Sequence, residues 1–159
     1  MKLFEILDYK PEVSWKYIND FQLRGFFELD NRKCEIQIDE YEVQDKTLVD
    51  FGFIADGSIQ AVEGKKPEAK LLGAVYNGAK DKLKELKPDV VLVSVMKASG
   101  LVESRKSVYS SLARILSRTL SFVFDSDWVE NAQGFFRIWA KWNLTEEQTD
   151  LFILQVQRK

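Results

Sequence analysis

The feature that most constrains this 159-residue chain is the run VVLVSV at 90–95. It is almost continuously apolar and largely β-branched, the pattern of a central strand covered on both faces. Helical patterns flank it. Upstream, over 68–86, Leu71, Leu72, Val75, Tyr76, Ala79, Leu83 and Leu86 recur at helical spacing and make one apolar stripe. Pro67 suits the first turn of such a helix, and Pro88 ends it. Gly73 and Gly78 lie inside the stripe, each costing up to about 1 kcal/mol against Ala. A helix that keeps both invites a close approach there by a sheet or a ligand. Downstream, over 103–119, Val108, Tyr109, Leu112, Ile115 and Leu116 face inward, while Arg105, Lys106, Arg114 and Arg118 make a basic outer face.

The chain ahead of this centre reads as an antiparallel meander. In 21–29, Phe21, Leu23, Gly25, Phe27 and Leu29 share one face. The cluster Asp30, Asn31, Arg32, Lys33 is a turn. Cys34, Ile36 and Ile38 then alternate with Glu35, Gln37 and Asp39, so Cys34 is expected in the core. After a second turn at Asp45 and Lys46, Val49, Phe51 and Phe53 share a face. Residues 55–68 read as a loop. Residues 1–20 suit a short helix as well as a strand. Beyond the centre, SFVFD alternates as a short strand. Over 126–142 the signal divides. Trp128, Ala132, Phe135 and Trp139 are helically spaced, but FFRIW after Gly134 is rich in strand formers, and a strand is expected over 134–142. A capping box at Thr145 to Gln148 is followed by DLFILQVQRK, whose Phe152, Leu154 and Val156 alternate, which predicts a last strand. The expectation is one α+β domain over 1–159: a largely antiparallel twisted sheet, two packed helices at 68–86 and 103–119, and a buried strand at 89–97.

Composition excludes several chemistries. There is no histidine, which removes Ser-His-Asp and Cys-His catalysis and imidazole metal sites. One cysteine allows neither an internal disulfide nor a cysteine zinc site. Motifs for a P-loop, a dinucleotide fingerprint, a nucleophile elbow and an EF-hand are absent. The carboxylates Asp39, Glu40, Glu42 and Asp45 read as a solvated face, and no metal is expected. Residues 1–60 carry 13 acidic against 7 basic side chains, whereas residues 61–120 carry 12 basic against 6 acidic. The basic middle could meet an anionic ligand. Nucleic acid is disfavoured, because exposed aromatics do not interleave these charges and net charge is −2. No secretory signal or membrane span is read from the sequence, which suggests the cytoplasm.

The order of strands, helix, buried strand, helix and strands carries a resemblance, together with Ser104 and Arg105 followed by Tyr109 and Leu112 on the second helix. Over about residues 34–157 the chain resembles a group of small bacteriophage proteins that are themselves similar to GCN5-related N-acetyltransferases. The resemblance implies acetyl-coenzyme A held near Lys70, Gly73 and Ala74 at a helix start, with Tyr109 reprotonating the leaving thiolate. The chain departs from that pattern: Val75 stands where a small residue is usual, and so does Arg105. Asp50, Glu63 or a water would have to act as base, and spacing selects none of them.

Two expectations follow. The first is a non-catalytic phage accessory protein in the cytoplasm of an infected host. It would take no cofactor and would bind a host or virion protein through Trp128, Phe135, Trp139 and Trp142. The alternative is an acetyl-coenzyme A-dependent N-acetyltransferase of unknown acceptor.

Overall fold

The computed structural model describes residues 10–55 and 69–157. Eight strands are present there: β1 (Ser14–Tyr17), β2 (Gln22–Leu29), β3 (Arg32–Val43), β4 (Lys46–Ala55), β5 (Val90–Met96), β6 (Phe124–Asp125), β7 (Val129–Glu130) and β8 (Gly134–Ala140). Three α-helices accompany them: α1 (Ala69–Leu86), α2 (Val102–Thr119) and α3 (Glu146–Gln157). The fold is α+β, and its sheet is mixed but mainly antiparallel. Strand order is β1-β2-β3-β4-β5-β8-β6, with β7 also pairing β8. Among the described strands only β4 and β5 run parallel, joined by the crossover through α1.

The meander forms where alternation and turn chemistry agree. Asp30 and Asn31 turn β2 into β3, and Gln44 and Asp45 turn β3 into β4, all four with positive φ. Two-residue turns of that hand match the twist of the strands they join. Alternation then sorts side chains into two cores. Ile36, Ile38, Phe51, Phe53, Val91 and Val93 pack against α1 and α2 on one face. Leu48, Val90, Leu92, Phe136 and Ile138 pack against Phe152, Ile153 and Val156 of α3 on the other. β5 is therefore covered on both faces, as its composition demands, and the helices beside it begin and end within a residue or two of the expected limits. Cys34 is buried as expected.

The last element is a correction. Residues 150–157 are helical, not a strand, so among the described residues three helices pack on the sheet rather than two. The Thr145 hydroxyl accepts from the Gln148 amide at 3.1 Å, and the Gln148 side chain accepts from the Thr145 amide at 3.1 Å. This reciprocal box starts the helix. Phe152, Ile153 and Val156 then face the sheet together, whereas Leu154, an alternation partner in the strand reading, is 44% exposed. Residues 126–142 resolve in favour of strands β7 and β8. The helical spacing of Trp128 and Trp139 is coincidental.

Candidate functional site

The parallel ladder between β4 and β5 is short. It pairs Leu48 with Val90, Val49 with Val91 and Asp50 with Leu92, and stops. Both strands continue, β4 held on its outer edge by β3 as far as Ala55, and β5 by β8 as far as Met96. Their inner edges part, and a split opens at their carboxyl ends. α1 is 18 residues long and ends just before β5, so it starts near the same end of the sheet. α2 starts there too, after the short 3₁₀ turn that follows β5. Crevices at the carboxyl ends of parallel strands are the usual ligand position in open α/β sheets.

Tyr109 fills the throat of this split. It projects from α2, where only 3% of it is exposed, and its ring meets Phe53 edge-on with centroids 5.6 Å apart. The Phe53 amide, which β5 would satisfy in a continuous ladder, donates to the Tyr109 hydroxyl at 3.3 Å. A side chain at Gly52 would place its Cβ 3.4 Å from that oxygen. Burial pushes the Tyr109 pKa up to about 12, and the nearby Asp50 charge adds to the rise. The Phe53 amide and Arg105 oppose it.

On the sheet face away from α1 and α2, a cavity of about 170 Å³ is lined by Gln37, Asp39, Asp50, Gly52, Ser94 and Tyr109. A second, of about 270 Å³, shares Asp50 and Ser94 and continues past Met96, Gln133 and Phe136 to Val156 of α3. Asp39 and Asp50 are both buried. Arg24, itself buried, donates to Asp39 Oδ1 at 2.7 Å and lies 3.9 Å from Glu35. The site thus has a carboxyl floor, a phenol at its throat and an apolar extension under α3. A roomier groove of about 560 Å³ beside α3 is lined mainly by surface polar side chains and Leu154 and has no such convergence.

The expected site residues are distributed unevenly. Tyr109 is in the split. Asp50, one of three possible bases, is in the same cavity, and Glu63 lies outside the described residues. Gly73 and Ala74 are buried in the first turns of α1. Lys70 is exposed and ion-paired with Asp30 at 2.9 Å. The aromatic segment divides between the two cores. Trp139 is fully buried, Trp128 donates to the Ser110 hydroxyl at 3.1 Å, and Phe135 is half-buried under Lys106, 4.5 Å from its ring centre. Trp142 packs edge-on to Phe152 and under Lys46. The carboxylate cluster is split by alternation: Asp39 turns toward Arg24, and Glu40 accepts from Tyr17 on the opposite face at 2.7 Å. Among the described residues, no group of three or more metal-ligating side chains forms. No helix there is long and apolar enough to cross a membrane. Arg105 is a further correction. It belongs to the inward stripe with Tyr109 and Leu112, not to the exposed face of Arg114 and Arg118. The spacing 105, 109, 112, 116 carries that signal; the charge concealed it.

Against known proteins, the chain matches no family model, no curated protein and no solved structure.

Proposed function

We propose that the chain is an acyltransferase resembling the GCN5-related N-acetyltransferases, moving an acetyl group from acetyl-coenzyme A to an amine. One observation carries this reading: two parallel strands part at their carboxyl ends over a buried tyrosine and a buried carboxyl group. The insertion of β8 between β5 and β6 lends it further support. In the reaction the amine nitrogen attacks the thioester carbonyl, Asp50 takes the nitrogen's proton, and the carbon–sulfur bond breaks to release a thiolate. Tyr109 would donate a hydrogen bond to that sulfur. Burial raises the Tyr109 phenol, which disfavours complete proton transfer, so Tyr109 would stabilise the leaving group by hydrogen bonding while solvent supplies the final proton. Acetyl-coenzyme A bound to the native state must raise the thermal midpoint by mass action. No shift at millimolar ligand would sink this reading.

A second reading has its own observation. The Tyr109 hydroxyl already takes the Phe53 N–H, a donor facing the split, and Lys70 is engaged by Asp30. A closed split of this kind suits a non-catalytic phage accessory protein that binds a host or virion protein. With Trp139 buried, Trp128 and Phe135 beside Lys106 would form its contact. Under this reading Asp50→Asn and Tyr109→Phe leave partner binding intact, and acetyl-coenzyme A leaves the midpoint unmoved.

A further inference from the structure

Arg105 is half-buried on the core-facing stripe of α2, with one donor left unsatisfied among the described residues. It stands four residues before Tyr109 and seven before Leu112, so it continues their stripe toward the start of α2. Tyr109 reaches the throat of the split, which places Arg105 one helical turn nearer its mouth. Its Nε is buried and has no hydrogen-bond partner among the described residues, and no carboxylate there pairs with it. The other ion pairs of the region go elsewhere: Glu103 to Lys106, Asp125 to Arg137, Glu130 to Lys97. A buried N–H left without an acceptor is costly unless a ligand completes it.

We propose that Arg105 is the recognition residue for a phosphoryl oxyanion of a ligand whose remainder enters the split. A planar fork of donors matches phosphate oxygens, whereas Lys70 at the start of α1 is already paired with Asp30. Among the described residues, the first turn of α1 carries no acidic side chain. The inference stands on the guanidinium and its place, and does not require that acyl transfer occurs.

The test is titration of the whole protein with inorganic pyrophosphate at constant ionic strength, read by calorimetry and by thermal midpoint, with acetyl-coenzyme A as a second arm. Pyrophosphate is expected to bind wild type and raise its midpoint. Arg105→Gln weakens that binding about tenfold or more, and Arg105→Lys falls between because it keeps the charge without the fork. The exposed Arg114→Gln binds as wild type does. Ligand-free Arg105→Gln melts at or above the wild-type temperature, since it removes a buried donor that has no acceptor; should it fail to fold, Arg105→Lys carries the comparison. Wild type that ignores millimolar pyrophosphate, or equal binding by all variants, overturns the proposal. An Arg105-dependent response to pyrophosphate without any response to acetyl-coenzyme A keeps this inference and removes the acyl-transfer reading.

Discussion

Asp39 and Asp50 stand directly opposite each other across β3 and β4, both buried, and the Arg24 guanidinium is bonded to Asp39. Like charges in that relation destabilise a sheet unless other contacts offset them. For Asp39 the Arg24 guanidinium is one such contact. Asp39→Asn leaves the guanidinium short of its counter-charge and is expected to cost about 3 kcal/mol by urea denaturation. Asp50→Asn relieves the opposition and is expected to cost less than 1 kcal/mol, while acetyl transfer falls by about 10²–10⁴. Equal losses of stability would show that Asp50 is structural.

Tyr109 should be visible by its titration. Tyr17, bonded to Glu40, and Tyr109, buried, are both raised to about 12 from an ordinary 10. A phenol whose folded pKa exceeds the unfolded value stabilises the native state fully below pH 10 and loses that contribution as pH rises toward 12. Absorbance of phenolate in the native protein should therefore show late titration of Tyr17 and Tyr109, and Tyr109→Phe should reduce the late amplitude by one tyrosine. The same variant leaves the Phe53 amide without its acceptor, at a cost of about 1–2 kcal/mol.

The scaffold was legible where local and tertiary demands coincide. VVLVSV reads as a doubly covered strand because it is one, and the stripes of α1 and α2 point at a sheet that is there. The end of the chain was not legible in the same way. Phe152, Ile153 and Val156 satisfy a helix, while Phe152, Leu154 and Val156 satisfy a strand, and so short an apolar run cannot separate the two. The cap at Thr145 decides it. The site was half legible. Tyr109 stood out on its helix, but Asp50 alternates with core residues like any outward polar side chain. What makes it distinctive is the place where the ladder to β5 stops, and no residue type between 50 and 55 announces that. Arg105 was concealed by its own charge, which reads as surface even at an inward position.

Gly134 opens β8 against the end of β5, and a Cβ there would lie 2.5 Å from the Val95 carbonyl oxygen and 3.2 Å from Met96 Cα. Neither neighbour is the tip of a flexible side chain. Gly134→Ala must push the strands apart beside Ser94 and the cavity it lines. The expected loss is about 2 kcal/mol, measured by chemical denaturation, with a fall in any ligand affinity at the split. A neutral outcome would mean that β5 and β8 can separate there freely.

Helix α3 covers the second core with only Phe152, Ile153 and Val156 fully buried, so its start matters more than it would in a longer helix. Thr145→Ala removes the hydroxyl that accepts from the Gln148 amide and half of the reciprocal box. The expected cost is about 1 kcal/mol. Gln148→Ala removes the other half, and the double variant should cost less than the sum, because the two bonds hold one turn between them. Since Val156 lines the cavity that continues from Asp50, fraying of α3 should also loosen that wall. Hydrogen exchange over 146–157 reads this directly. Thr145→Ala should speed exchange throughout α3 while leaving β5 unchanged, and equal protection in both proteins would show that the sheet, not the cap, holds the helix.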